Sequence, residues 1–191
     1  MFIFYIKTNL AFFCYIMSHF CIKQVFCLGL IMHEVYLLLG SNLGNSEQVL
    51  TDARNYVSLQ VGSIIEESAI YQTAPWGVIN QPDFLNQVIR VETELLPQEV
   101  LAQVLAIEER LGRIRQEKWG ARTIDIDLLF YDILQVHTDR LTLPHPLLHL
   151  RKFVLMPLAE IAPNWVHPIL KKTVQELLTD LQDDLTVIKL S

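Results

Sequence analysis

Short continuous apolar runs alternate with amphipathic stretches from residue 34 onward. Glu34–Leu39 (EVYLLL) predicts a strand that runs into the turn Gly40-Ser41-Asn42-Leu43-Gly44-Asn45. Asn45 or Ser46 is placed to cap a helix whose apolar positions Val49, Leu50, Ala53, Tyr56 and Val57 recur at helical spacing. Ile64–Tyr71 predicts a second strand, Thr73–Pro82 a loop bearing proline and glycine, and Phe84–Thr93 a third strand. Pro97 opens the clearest helix, with an apolar face of Val100, Leu101, Val104, Leu105 and Leu111, and Gly112 closes it. Arg113–Arg122 is a polar, basic loop, and Thr123–Tyr131 predicts a fourth strand. A proline-broken segment around Pro144–Pro168 then precedes a helix announced by the capping box Thr173-Val174-Gln175-Glu176. The order β-α-β-β-α-β predicts an α+β fold, a ferredoxin-like sandwich with C-terminal additions. Such a fold does not by itself specify any chemistry.

Residues 1–33 follow a different pattern. They contain no acidic residue, their only fixed charges are Lys7 and Lys23, and they are rich in Phe, Ile, Cys and Tyr. The longest near-apolar run, Leu10–Ile22, is 13 residues, short of the roughly 20 a spanning helix needs. No small-x-small cleavage site follows it. Three readings stay open: a start placed upstream of the native one, with Met32 the alternative, a weak membrane anchor, or an extension that packs on the domain. The expected organisation sets residues 1–33 apart as an apolar extension and assigns function to 34–191.

With 191 residues, the chain holds one domain with a full core. Its formal charge of −6 argues against nucleic acid as the main partner, since affinity there rests on neutralising phosphates. The three cysteines, Cys14, Cys21 and Cys27, all lie in the first segment and match neither a disulfide framework nor a metal spacing. A reducing, cytoplasmic location is the expectation.

Candidate chemistry centres on Asp125-Ile126-Asp127. Residues i and i+2 of a strand face the same way, so both carboxylates project together while Ile124, Ile126 and Leu128 point into the core. Neighbouring anions raise each other's pKa unless a cation sits between them. A hard divalent ion such as Mg²⁺ meets that need and leaves coordination positions for phosphate and water. The plain alternative is a solvated polar strand face. Arg113, Arg115, Lys118 and Arg122 crowd the ten residues before this strand, around Trp119 and Gly120. A cationic loop feeding a carboxylate pair suits a Mg-polyphosphate site, although an ordinary charged surface loop has the same composition. His145 and Arg151 add a third group. The His145/His149 spacing lacks a third ligand for zinc, which leaves His145 as either a phosphate donor or a structural residue. Phe84 and Asn86 share one strand face and offer a ring and an amide to a flat heterocycle, or serve only as a core aromatic and its polar neighbour. Glu108 lies at the border of its helix's apolar face, as a site carboxylate or a helix-edge charge. The 40–45 turn lacks the P-loop lysine and the third glycine of a dinucleotide fingerprint.

Two rival classes remain at this level. DxD pairs also serve other Mg-dependent nucleotide and glycosyl transferases, which release a different product. An RNA-binding ferredoxin-like module would need sheet-surface aromatics and a basic face, which are missing here.

Five ordered blocks narrow the choice: LLLGSNLGN, YQTAPWG, NQPDFLNQV, GRIRQEKWGARTIDIDLLFYD and LTLPHPLLHLRKFVLMPLAEIAP. Together they resemble the 6-hydroxymethyl-7,8-dihydropterin pyrophosphokinases of folate biosynthesis over nearly all of residues 34–168. The resemblance implies transfer of pyrophosphate from ATP to the pterin hydroxymethyl group. It implies two Mg²⁺ ions on Asp125 and Asp127, and a pterin sandwiched by Phe84 and Phe153 and read at its edge by Asn86, Thr73 and backbone near Trp76. Arg113, Arg122, His145 and Arg151 would bind ATP, and Arg115 and Trp119 would sit on a loop that closes during catalysis. Glu108 would lie near the site. The partners implied are the two small-molecule substrates, with no nucleic acid, no stable membrane association, and a monomer or weak dimer. Ala74 stands where some relatives have proline, and the basic loop is one residue shorter than in some.

Overall fold

A computed structural model describes residues 31–75, 81–113 and 121–190. Trp76, Arg115, Lys118 and Trp119, together with the first 30 residues, lie outside the described residues.

The first strand, β1 (His33–Ser41), is central, with the fourth strand β4 (Phe84–Thr93) on one side and β5 (Asp125–Tyr131) on the other, both antiparallel to it. β2 (Ser63–Glu67) and β3 (Tyr71–Thr73) both pair with β4, and a late strand, β8 (Val187–Lys189), adds itself outside β3. The order across the sheet is β5-β1-β4-β3-β8. A small separate hairpin joins β6 (Val136–His137) to β7 (Thr142–Leu143).

Helices cover both faces of the sheet. Helices α1 (Ser46–Gln60) and α2 (Pro97–Arg110) bury Leu50, Ala53, Val57, Val100, Val104 and Ile107 against Val35, Leu37, Leu39, Ile89, Val91, Ile126 and Leu128. On the other face α3 (Lys152–Ile161) and α4 (Val174–Asp180) bury Val154, Leu155, Leu158, Val174 and Leu177 against Tyr36, Leu38, Val88, Leu129 and Phe130. Two-sided burial explains why β1 reads as a continuous apolar run rather than as an alternation. β2, in contrast, alternates between exposed and partly buried positions.

Several sequence-based boundaries need correction. The strand expected over 64–71 is two strands, broken at Ser68. The break is closed onto β4, where the Ser68 N–H donates to Val88 O at 2.9 Å and its hydroxyl accepts from Val88 N–H at 3.0 Å. The proline-broken segment contains α3, which carries Pro157 internally. A proline there removes one helical hydrogen bond, and burial of Val154, Leu155 and Leu158 holds the helix together regardless. Leu105 faces outward, and the buried stripe of α2 continues through Ile107 and Glu108 instead. Gly40 and Ser41 belong to β1, so the turn proper begins at Asn42, with Gly44 at a φ of 73°. The Asn45 cap, the strand 84–93 and the Thr173 capping box stand as expected.

The contrast within α1 gives a direct test of this packing. Leu50 is fully buried and Leu59 is 80% exposed. Leu50→Ala is expected to cost about 2–5 kcal/mol in urea unfolding, and Leu59→Ala less than about 0.5 kcal/mol.

Candidate active site

Register places the chemistry. Gly40 in β1 stands opposite Asp125 on one side and Asn86 on the other, and Leu38 stands opposite Asp127 and Val88. Residues directly opposite in antiparallel strands project to the same face. Asp125, Gly40 and Asn86 therefore form one row across the face that α3 and α4 cover further along. Strand spacing of about 4.8 Å puts roughly 10 Å between the β5 and β4 ends of that row. Gly40 is its bare floor: a Cβ there would lie 3.1 Å from Asn86 Oδ1.

At the β5 end, Asp125 sits between two guanidinium groups. Arg113 Nη2 lies 2.8 Å from Asp125 Oδ1, and Arg122 pairs with Oδ2. Arg113 also pairs with Glu108. Glu108 is 2% exposed, and one of its oxygens accepts the Ile126 N–H at 2.7 Å, so it anchors both the arginine and the backbone between the two aspartates. Burial raises the Glu108 pKa, and the Ile126 N–H and Arg113 oppose that rise. The Asp127 carboxyl is pushed up to about 7, first by burial and then by the Asp125 charge, with Arg151 and Arg122 pulling the other way. A carboxyl so placed gains by meeting a further cation.

His145 and Arg151 enter the same field. The His145 N–H on the main chain donates to Leu129 O at 2.9 Å, which fixes the residue beside β5. Its ring Nδ1 accepts the Leu147 N–H at 3.3 Å, which leaves the ring proton on Nε2. Burial, and then the Arg151 charge, lower its pKa to about 4, so at neutral pH it is a neutral donor. Arg151, the N-cap residue of α3, interacts electrostatically with Asp127 and Asp125, and its guanidinium carbon lies 5.7 Å from the Phe153 ring centre. His149 faces His167, 6.2 Å away ring to ring. Among the described residues no cluster of three or more His, Cys, Asp or Glu is arranged to hold a metal.

At the β4 end, Asn86 is buried and donates from Nδ2 to the hydroxyl of buried Thr73 at 2.8 Å. Thr73 stands opposite Phe84 in the β3–β4 ladder. Phe84 and Phe153 are both partly buried, one on the sheet and one in the first turn of α3.

Two further residues shape the site. Gly40 is one. Asn42 is the other: it is 3% exposed, its side-chain amide donates to Gln81 Oε1 at 3.2 Å and Pro82 O at 3.1 Å, and its Oδ1 accepts the Arg122 N–H at 2.8 Å. Asn42 thus ties the return of the 74–82 connection to the return of the basic loop. The motif GSNLGN contains both residues, but a tight-turn reading of it hides a strand-end glycine and a loop anchor.

The histidines give a pH test. His145 and His167 both have pKa values lowered to about 4, each first by burial. The unfolded chain, with histidines near 6.5, binds more protons between those values. The two histidines therefore contribute stability that grows as pH climbs from about 4 to about 6.5, while the raised Asp127 carboxyl acts in the opposite sense over the same range, so the rise is expected in Asp127→Asn relative to its own His145→Gln and His167→Gln variants. NMR titration should find both rings neutral over most of that window and protonating only near its acid end, and either ring protonating near 6.5 would contradict the burial argument.

Comparison with known proteins identifies the family. Residues 36–163 match the model of the family 7,8-dihydro-6-hydroxymethylpterin-pyrophosphokinase (HPPK). A 2-amino-4-hydroxy-6-hydroxymethyldihydropteridine pyrophosphokinase of Methylorubrum extorquens is 45% identical over 151 residues, covering 78% of this chain and 94% of its own length. One of the same name from Synechocystis sp. is 44% identical over 147 residues, covering 76% of this chain and 75% of its own. A crystal structure of Plasmodium falciparum HPPK-DHPS superposes with a TM-score of 0.66 at 17% identity. That match covers 78% of this chain but only 43% of the longer one, and it speaks to the fold alone. On these matches the chain belongs to the 7,8-dihydro-6-hydroxymethylpterin-pyrophosphokinase family.

Proposed function

We propose that this chain transfers the pyrophosphoryl group of ATP to the hydroxymethyl group of 6-hydroxymethyl-7,8-dihydropterin, a step of folate biosynthesis, on the row Asp125–Gly40–Asn86. The observation that carries the reading is this juxtaposition. A carboxylate pair ringed by guanidinium groups and a ring-and-amide set lie at opposite ends of one sheet row, about two strand spacings apart. That separation suits a flat heterocycle whose substituent reaches toward a polyphosphate.

Phe84 and Phe153 stack on the pterin, and Asn86, Thr73 and backbone near Trp76 read its edge. Arg113, Arg122 and Arg151 bind the phosphates as charged forks, and neutral His145 donates from Nε2. Arg115 and Trp119 would contribute to ATP binding. Asp125 and Asp127 fit magnesium: both present hard oxygen donors on one face, and burial has made a lone charge on Asp127 unfavourable. They would hold two ions, which neutralise phosphate charge and align donor with acceptor. The hydroxymethyl oxygen bonds to the β-phosphorus, the bond from that phosphorus to the α,β-bridging oxygen breaks with its electron pair staying on that oxygen, AMP leaves, and the hydroxyl proton passes to water. Such transfers depend on alignment and charge neutralisation more than on covalent help. Glu108 supports the site by fixing Arg113 and the Ile126 N–H.

The sheet order, with β2 and β3 counted as one broken strand, supports the ferredoxin-like description. In this reading the N-terminal extension has no part in catalysis, although His33, its last residue as the sequence was divided, opens β1. No helix among the described residues is long and apolar enough to cross a membrane. The proposal places the enzyme in the cytoplasm as a monomer or weak dimer with small-molecule partners and no nucleic acid.

Mass spectrometry of a mixture of protein, ATP, Mg²⁺ and the reduced pterin should show AMP and pterin diphosphate in equal amounts; formation of ADP or free pyrophosphate instead would refute the reaction. Asp127→Ala is expected to lower turnover about a thousandfold or more while the protein still melts cooperatively. Near-normal turnover would remove the carboxylate from the mechanism. By calorimetry, Phe84→Ala should weaken pterin binding about tenfold or more and leave binding of an ATP analogue nearly unchanged; equal loss of both would contradict stacking.

A further inference from the structure

The strand that carries Thr73 is only three residues long, Tyr71–Thr73, and it leads directly into the 74–82 connection. A strand that short holds its place through few ladder bonds, and an unsupported edge would leave it loose. β8 covers that edge. Lys189, Ile188 and Val187 stand opposite Tyr71, Gln72 and Thr73, and the Leu190 N–H donates to Ile70 O at 2.8 Å.

The added strand is also locked to α3. Glu160 Oε1 pairs with Lys189 Nζ at 2.9 Å, while Oε2 accepts from the Tyr71 hydroxyl at 2.9 Å and from the Ala69 N–H at 3.1 Å. One carboxylate near the end of α3 therefore holds β8, β3 and the break before β3. The linker into β8 touches the opposite end of the same helix. Asp183 Oδ2 accepts the Lys152 N–H at 3.0 Å, and Oδ1 accepts the Leu185 N–H at 3.0 Å. Lys152 is the first residue of α3, next to Phe153. Residues 181–190 thus run from the helix end that carries Phe153 to the helix end that carries Glu160. They finish on the strand that carries Thr73, whose hydroxyl accepts from Asn86.

We infer that the C-terminal segment Leu181–Leu190 is a positioning brace for the pterin pocket, with Glu160 as its keystone. It sets the distance between the ring contributed by α3 and the edge-reading pair Thr73 and Asn86. None of its residues touches the substrate. The inference rests on the reading of Phe153, Thr73 and Asn86 as pterin ligands. It goes beyond that reading because residues 181–190 lie past the family match, which ends at residue 163. Most of the ATP side is anchored separately, through Glu108, Asn42 and the aspartates; Arg151 alone shares the first turn of α3 with Phe153, and both test variants leave the Asp183 contact at that turn in place.

The test is steady-state kinetics on two kinds of variant. Truncation after Asp183 removes β8 and leaves the Asp183 contact to α3 in place. It should raise the KM for the reduced pterin about five- to twentyfold, with kcat and the Kd of an ATP analogue changing less than about twofold, since small displacements of binding groups cost that much. Glu160→Ala should do the same. Glu160→Gln, which keeps an amide oxygen to accept from the Tyr71 hydroxyl or the Ala69 N–H, should recover most of the loss. Unchanged pterin KM in Glu160→Ala, or equal weakening of pterin and nucleotide, overturns the brace. If the truncated chain does not melt cooperatively, the Glu160 pair decides alone. Wild-type protein that forms no AMP with the reduced pterin would instead refute the catalytic reading beneath it.

Discussion

The site depends on two carboxylates held on one face of a covered sheet. Asp125 and Asp127 are two residues apart on β5, so the strand period forces them together, and both are only partly exposed, which limits the water that would screen their repulsion. Guanidinium groups take up part of that repulsion. Arg113 and Arg122 flank Asp125, and Arg151 lies within electrostatic reach of both aspartates. Asp127 nevertheless remains well above the usual carboxylate range, pushed up by burial and by its neighbour. A region this rich in opposed charge is poorly suited to bare stability and well suited to a highly charged ligand.

The rest of the fold makes that arrangement affordable and gives it direction. Helices pack on both faces of the sheet, and the apolar strands β1 and β4 form its centre. Gly40 interrupts the row of side chains where Asp125, β1 and Asn86 meet, and leaves a bare backbone between the charged end and the aromatic end. Asn42 fastens Gln81 and Pro82 on one side and Arg122 on the other to the end of β1 through one buried amide.

Much of this was legible in the sequence because strand periodicity is local. The pairing of Asp125 with Asp127, the shared face of Phe84 and Asn86, and the caps at Asn45 and Thr173 all follow from neighbours within four residues. What was not legible depends on contacts distant in sequence. Glu108 reads as a helix-edge charge until Ile126 and Arg113 are brought to it. α3 is concealed by Pro157, because the burial that sustains it comes from the sheet, not from its own sequence. β8 reads as an ordinary tail, since a three-residue strand has no pattern of its own and exists only by pairing with β3. The break at Ser68 is hidden for the same reason: it is closed by bonds to Val88, twenty residues away.

The most direct test of the central claim is anomalous diffraction from crystals grown with Mn²⁺, a non-hydrolysable ATP analogue and the pterin. The account predicts manganese directly coordinated by Asp125 and Asp127, between those side chains and the phosphate oxygens, with Arg113 and Arg122 turned onto the nucleotide. Manganese bound to the nucleotide elsewhere, with both aspartates still paired only to arginine or facing solvent, would contradict it.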